Sequence, residues 1–138
     1  MRFIEIVKDN IELLYKFVDN LGVSKESFRY YDKRNPIEAI RNHVTTLLLF
    51  DDAPLGYGHL DKDGGKIWLG ICIADEHQGK GLGKIMMSEL VKRSNDTINL
   101  SVDKSNKYAI KLYESYNFSI VEEKEEYYLM ERKHDFSL

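Results

Sequence analysis

Apolar and polar residues alternate through "RFIEIV" (2–7), a period of two that predicts a short strand. The spacing then changes. Ile11, Leu14, Tyr15, Val18 and Leu21 recur at three- and four-residue intervals, so "DNIELLYKFVDNLG" (9–22) predicts a helix, capped by Asp9 or Asn10 and closed by Gly22. No period holds across "VSKESFRYYDKRN" (23–35), which is aromatic and charged and is expected to be a loop or a broken helix. "PIEAIRNH" (36–43) predicts a short helix with Pro36 in its first turn. Strand-like runs fill 44–75, and the turn signals "FDDAPLG" and "DKDGGK" divide them into a three-strand meander.

The order of elements changes in the second half. "LGKIMMSELVKRSN" (82–95) is expected to be helical, with Leu82, Ile85, Met86 and Leu90 on one face. "TINLSV" (97–102) predicts a strand. "NKYAIKLYESY" (106–116) predicts a helix with Ala109, Leu112, Tyr113 and Tyr116 on its apolar face. "FSIVEE" and "YYLMER" predict a closing pair around the charged "EKEE" turn, and the tail "KHDFSL" (133–138) is expected to fray. No repeat or linker interrupts the chain. The expectation is one α/β domain over residues 1–138, antiparallel strands first and a strand-helix-strand-helix-strand run after them.

Composition narrows the classes. The 138 residues suit a single core, and 43% hydrophobic with 31% charged residues fits a packed soluble fold. A net charge of -3 with no basic block argues against a nucleic-acid partner. Cys72 is the one cysteine, so no internal disulfide forms and a reducing cytoplasm fits. Glu5 and Asp9 interrupt the N-terminal stretch, which is unlike a signal peptide. No apolar run approaches the ~18 residues of a membrane span, so no membrane partner is expected. His43, His77 and His134 show no ligand spacing with one another or with Cys72, so no metal is expected.

The chemistry concentrates in "DEHQGKGLGKIMMSEL" (75–90), where Gly79, Gly81 and Gly83 stand between a strand and a helix. A helix start exposes unpaired N–H groups and the positive end of its dipole, and glycines let an anion approach them. A nucleoside-triphosphate loop would need G-x-x-x-x-G-K-[ST]; here Gln78 occupies the first glycine position and Ile85 follows Lys84. A dinucleotide fingerprint would need a third glycine where Lys84 stands.

The pattern present is Q-x-x-G-x-G, at Gln78, Gly81 and Gly83, and it resembles the acyl-CoA pyrophosphate loop of the GNAT superfamily (the Gcn5-related N-acetyltransferases). A second segment, "LSVDKSNKYAIKLYESYNF" (100–118), resembles that family's N-x-x-A-x-x-L-Y-x-x-x-G-F at Asn106, Ala109, Leu112, Tyr113 and Phe118. Asn117 replaces the family's usual glycine, at a place where Asn tolerates a left-handed backbone. The element order follows the family from residue 1 to about Arg132. The resemblance implies a mixed, mostly antiparallel sheet flanked by helices, with acetyl-CoA in a wedge between the fourth and fifth strands and no metal.

By the same resemblance, backbone N–H groups from Gln78 through Gly79, Lys80, Gly81 and Leu82 to Gly83 would hold the pyrophosphate. Backbone groups of Ile71 and Ile73 would pair with the pantetheine arm, and Asn106 would bond near it, cap its helix, or both. Tyr113 matches the family's proton donor to the departing thiolate, although its place on an apolar helix face also suits a core tyrosine. The base is not specified by the pattern: His59, Asp61, Asp75 and Glu76 are candidates, with Asp75 and Glu76 better suited to shaping the loop. His59 is the choice on intrinsic pKa, against a plain hydrogen-bonded role. Cys72 alternates with Ile71 and Ile73 on a buried strand and reads as an inert hydrophobe rather than a nucleophile.

The resemblance also implies that the segment between the first helices forms one wall of the acceptor site, where Phe28, Tyr30 and Tyr31 could stack on a ring and Arg29, Lys33 and Arg34 could pair with an anion. Three functions stay open. One is N-acetylation of a small-molecule amine, including an amino sugar or its nucleotide conjugate, by a monomer or homodimer. The others are acetylation of a protein N-terminus or lysine, and noncatalytic acyl-CoA binding.

Overall fold

The computed structural model describes residues 1–134. Seven strands form one sheet: β1 (Arg2–Glu5), β2 (His43–Asp51), β3 (Ala53–Asp63), β4 (Lys66–Ile73), β5 (Ile98–Asp103), β6 (Ser119–Glu123) and β7 (Tyr127–Arg132). Their spatial order is β1-β2-β3-β4-β5-β7-β6. Every neighbouring pair is antiparallel except β4 with β5. The helices are α1 (Ile11–Asp19), α2 (Pro36–Ala39), α3 (Leu82–Val91) and α4 (Lys107–Glu114). The tail expected to fray lies mostly outside the described residues; Lys133 and His134 have no regular structure.

Strand alternation builds two cores on opposite faces. Leu47, Leu49, Leu60, Ile67 and Leu69 turn toward α3 and α4, where Met86, Met87, Leu90 and Leu112 meet them. Leu48, Tyr57 and Cys72 turn the other way, toward Leu14 and Phe17 of α1 and toward Phe28. A Cβ on Gly58 would stand 2.5 Å from Met86 Sδ, so this glycine lets α3 lie directly on β3.

Local expectations hold with adjustments. The α1 stripe buries Phe17 while Tyr15 stays 36% exposed, because α1 meets the sheet along the Leu14–Phe17 edge. Gly22 does not close α1. The helix ends at Asp19, and Gly22, with φ 62°, opens a 3-10 turn over Gly22–Glu26. Asn10 is the residue before α1, yet its side chain accepts from Val7 N–H and caps nothing in the helix. In α3, Met87 is buried and Ile85 is 38% exposed, since the helix is covered from both the sheet and α4. Asn117 does take the left-handed conformation, with φ 70°.

Candidate active site

The one parallel pairing makes the site. β4 and β5 pair only at Ile67 with Ile98 and Trp68 with Asn99, and then diverge. Asn99 spans the apex, its Nδ2 donating to Ile67 O at 3.3 Å. Beyond that point a cleft of about 760 Å³ opens, bordered by Leu69 to Ile73 on one side and by Ser101 to Asp103 on the other.

The register sets which backbone groups face it. Ala74 N–H bonds to Leu55 O at 2.9 Å, so alternation along the antiparallel pair turns Cys72 and Gly70 toward β3 and Ile73 and Ile71 toward the cleft. The carbonyl of Ile73 is already taken, by Gln78 Nε2 at 3.1 Å and Ser24 Oγ at 3.2 Å. Its N–H and both groups of Ile71 remain for a ligand.

The loop before α3 is held from behind. Asp75 accepts from Val23 N–H at 2.7 Å and from the Ser24 hydroxyl, and these bonds, the hydroxyl first, hold its pKa below the usual carboxylate value. Gln78 N–H bonds to Asp75 O, so Gln78 serves the loop through its side chain and offers no backbone donor to the cleft, which corrects that part of the expected cradle. From Gly79 to Lys84 no N–H has a backbone partner among the described residues. Gly79 and Gly81 have φ of 81° and 78°, and a Cβ on either would meet nothing within 4 Å. Here glycine answers the backbone angle, since a side chain at either place would stand in open space. Gly83 has a different role: its Cβ would come 3.1 Å from Leu112, where α3 and α4 pack. Leu82 is buried in the core, and the Lys80 side chain turns aside to His77 Nδ1 at 3.4 Å.

On α4, Asn106 Oδ1 accepts from Ala109 N–H at 3.2 Å, which is the cap, and the residue also borders the cleft. Tyr113 borders the same cleft, and its hydroxyl has no hydrogen-bond partner among the described residues. Burial, with a smaller effect of Cys72, pushes its pKa up, so the phenol keeps its proton. Cys72 is buried and its thiol is pushed up to about 12, chiefly by burial and then by Asp75, which suits the inert role.

His59 is 2% exposed, and its ring lies across β4 where a Cβ of Gly70 would be, 2.5 Å from the ring's Cε1 and Nε2. Its Nδ1 bonds to Tyr57 Oη at 2.6 Å, and Tyr57 Oη bonds to Tyr31 Oη at 2.5 Å. Burial first, then His43 and Arg34, press its pKa well below the ordinary histidine value. The near-neutral pKa expected of His59 is therefore corrected: the imidazole is neutral throughout the physiological range.

The acceptor wall is partly redistributed. Tyr30 and Arg34 stand on the cleft, with the guanidinium 4.2 Å from the centre of the ring. Arg29 also borders it but makes a two-pronged bridge to Asp103, both bonds 3.1 Å. Phe28 reaches the wall while packed in the second core, and Tyr31 does not reach the cleft because its hydroxyl is drawn inward to Tyr57. Lys33 borders a second cavity of about 430 Å³, which shares Tyr30, Arg34, Asp61 and Asp63 with the cleft. Sequence inspection did not single out Gly70, Asp103 or Trp68. For Gly70 a signal existed, since glycine inside the strand "IWLGICI" marks a close approach.

A splayed parallel pair, a glycine loop at a helix start and a tyrosine on the following helix stand together around the cleft. A profile described as the Acetyltransferase (GNAT) family matches residues 11–118, and the chain belongs to that family. The acetyltransferase of GNAT family from Streptococcus pneumoniae has a similar fold, with a TM-score of 0.79, 18% identity, and 97% of this chain and 99% of that one covered. YncA from Salmonella typhimurium, solved with its cofactor acetyl-CoA, superposes with a TM-score of 0.74 at 16% identity over 100% of this chain and 96% of that one. In sequence, 64 residues are 38% identical to a protein of Bacillus subtilis subsp. natto (strain BEST195) named "Probable spermine N(1)-acetyltransferase"; the match covers 42% of this chain and 42% of that protein. Among the described residues no helix is long and apolar enough to cross a membrane.

Proposed function

We propose that the protein transfers the acetyl group of acetyl-CoA to a primary amine of a small molecule, by direct attack while both are bound. The observation that carries this is the cleft with unpartnered donors from Gly79 to Lys84 at one end and Tyr113 and His59 on its walls. Acetyl-CoA supplies the acetyl group as a thioester when bound. The chain then does three things. Ile73 N–H, which the register turns toward the cleft, would donate to the carbonyl oxygen as it gains charge. His59 Nε2 takes the amine proton, in the tautomer where Nδ1–H donates to Tyr57. Tyr113 gives a proton to the sulfur as the C–S bond breaks and the N–C bond forms; it then recovers one from water, to which His59 releases the proton it took.

The amino-sugar acceptor considered from the sequence rested on several rings and cations facing the ligand. Tyr30 and Arg34 support it still, whereas Tyr31 and Arg29 are committed elsewhere. The test is thiol release from acetyl-CoA against amino sugars and their nucleotide conjugates, polyamines, amino acids, aminoglycosides and peptides. Release with small amines supports the proposal. Release only with peptides refutes it in favour of protein acetylation, and binding of acetyl-CoA without release from any of them refutes it in favour of a binding module.

A further inference from the structure

Asp61 has no part in the transfer just described, yet it is among the most constrained groups of the cleft. It stands two residues beyond His59 on the same face of β3, opposite Trp68 of β4, and is 7% exposed. Its Oδ2 accepts from the Tyr30 hydroxyl at 2.7 Å. That uses the hydroxyl's only proton, so His43 Nε2–H donates to the Tyr30 oxygen at 2.8 Å. His43 Nδ1 then accepts from the Thr46 hydroxyl at 2.7 Å. The chain from Thr46 through His43 and Tyr30 runs one way and ends on the carboxylate. Oδ1 has no hydrogen-bond or ion-pair partner among the described residues, and both cavities border the side chain. The carboxylate is fixed through Oδ2, and Oδ1 is left open to the cavities, where a ligand's donor can reach it.

Lys33 and Lys62 border the second cavity only, so the groups nearest a cation are those on the cleft side of Asp61. Asp63 borders both cavities as well, and Trp68 borders the cleft and can offer a ring face. Arg34 is the cation shared with the cleft's acceptor end; it lies on the Tyr30 ring and donates to Tyr30 O, without pairing to Asp61. Position along β3 sets the distance: two strand residues span roughly 6.4–6.8 Å. Two nitrogens separated by four carbons, five bonds of about 1.5 Å in an extended chain, lie roughly 6 Å apart.

The geometry points to Asp61 as the seat of a second ammonium group, about four carbons from the amine that His59 deprotonates, which makes the acceptor a di- or polyamine. This rests on the acetyl-transfer proposal above.

The experiment compares 1,4-diaminobutane with n-butylamine, 4-amino-1-butanol and 4-aminobutyrate, which match its reach but end in a methyl, a hydroxyl and a carboxylate. Binding to the CoA-loaded protein is followed by calorimetry, and turnover by thiol release, with wild type and Asp61→Asn. A charge-assisted bond to a buried carboxylate predicts roughly 10- to 100-fold preference for the diamine over butylamine in Kd and kcat/KM. Asp61→Asn brings that ratio to within about 3-fold of one while acetyl-CoA affinity holds, which shows that the variant folds. Should Asp61→Asn not fold, the wild-type comparison of diamine with amino alcohol decides alone. Equal use of diamine, butylamine and amino alcohol overturns the inference, and so does a preference for 4-aminobutyrate, which would assign the selection to Arg34. Selective, Asp61-dependent binding of the diamine with no acetylation of any amine would uphold the subsite and refute the transfer proposal.

Discussion

Replacing Gly70 by alanine tests how His59 is placed. The new Cβ would lie 2.5 Å from both Cε1 and Nε2 of the ring, against an ordinary carbon contact of roughly 3.5–4 Å, so the ring must retreat by about 1 Å. It has little room to do so. Tyr57 Oη holds Nδ1 at 2.6 Å, and the rings of Tyr30 and His43 lie 4.3 and 4.7 Å away, centre to centre. Overpacking of this kind costs about 1–3 kcal/mol. Since the ring is also displaced from the cleft, turnover should fall at least ~10-fold, in the range for a lost base. The assay is a double-mutant cycle in urea: wild type, Gly70→Ala, His59→Ala and both together. With the ring removed, the alanine at 70 meets no clash, so its cost should drop below about 0.5 kcal/mol and the two sites should couple by about 1–3 kcal/mol. Additive effects, or a Gly70→Ala protein with wild-type stability and rate, would refute this account of why a glycine stands in mid-strand.

Other consequences can be checked in the same way. Tyr113→Phe should bind acetyl-CoA normally and turn over at least ~10-fold slower; because the hydroxyl has no partner among the described residues, stability should change by less than about 0.5 kcal/mol. Cys72→Ala should retain turnover, and a loss of more than ~10-fold with the fold intact would reopen a covalent route. Gly81→Ala should lose about 1–2 kcal/mol, from forcing φ 78° on an L side chain, and weaken acetyl-CoA binding in calorimetry. Acid should destabilise the protein early. His43 is lowered from its ordinary 6.5 to about 4, by burial first and Arg34 second, with Asp61 opposing, and His59 is lowered further. Below pH 6.5 the unfolded chain takes up protons that the folded chain refuses, so the stability these rings contribute is full above 6.5 and lost as pH falls toward 4. His43 alone accounts for up to about 3 kcal/mol of that loss. Urea midpoints at pH 7.5 and 4.5 measure it, and His43→Gln should flatten the difference.

Local chemistry was legible in the sequence at several places where neighbours along the chain suffice, though not at the ends of α1, where neither the Asn10 cap nor the Gly22 closure forms. The Asn106 cap and the left-handed Asn117 depend on backbone within a few residues, so the residue types announce them. So do the strand meander and the helices, whose periods report which side is buried. The two motifs placed the family, and with it the sheet and the wedge. What they could not show is how side chains far apart in the chain consume one another's bonding capacity. Tyr31 looks like Tyr30 in the sequence, yet one hydroxyl turns inward to Tyr57 and the other meets Asp61 and His43. Arg29 and Arg34 are equally cationic, but only Arg29 finds Asp103, 74 residues away. The ordinary histidine pKa of His59 is undone by the desolvation that its burial brings. Periodicity and motif are properties of adjacent residues and survive in the linear chain. Pairing, desolvation and the register that turns Ile71 and Ile73 toward the cleft arise only when the sheet closes, and these decide which of the residues that look suitable are free to act.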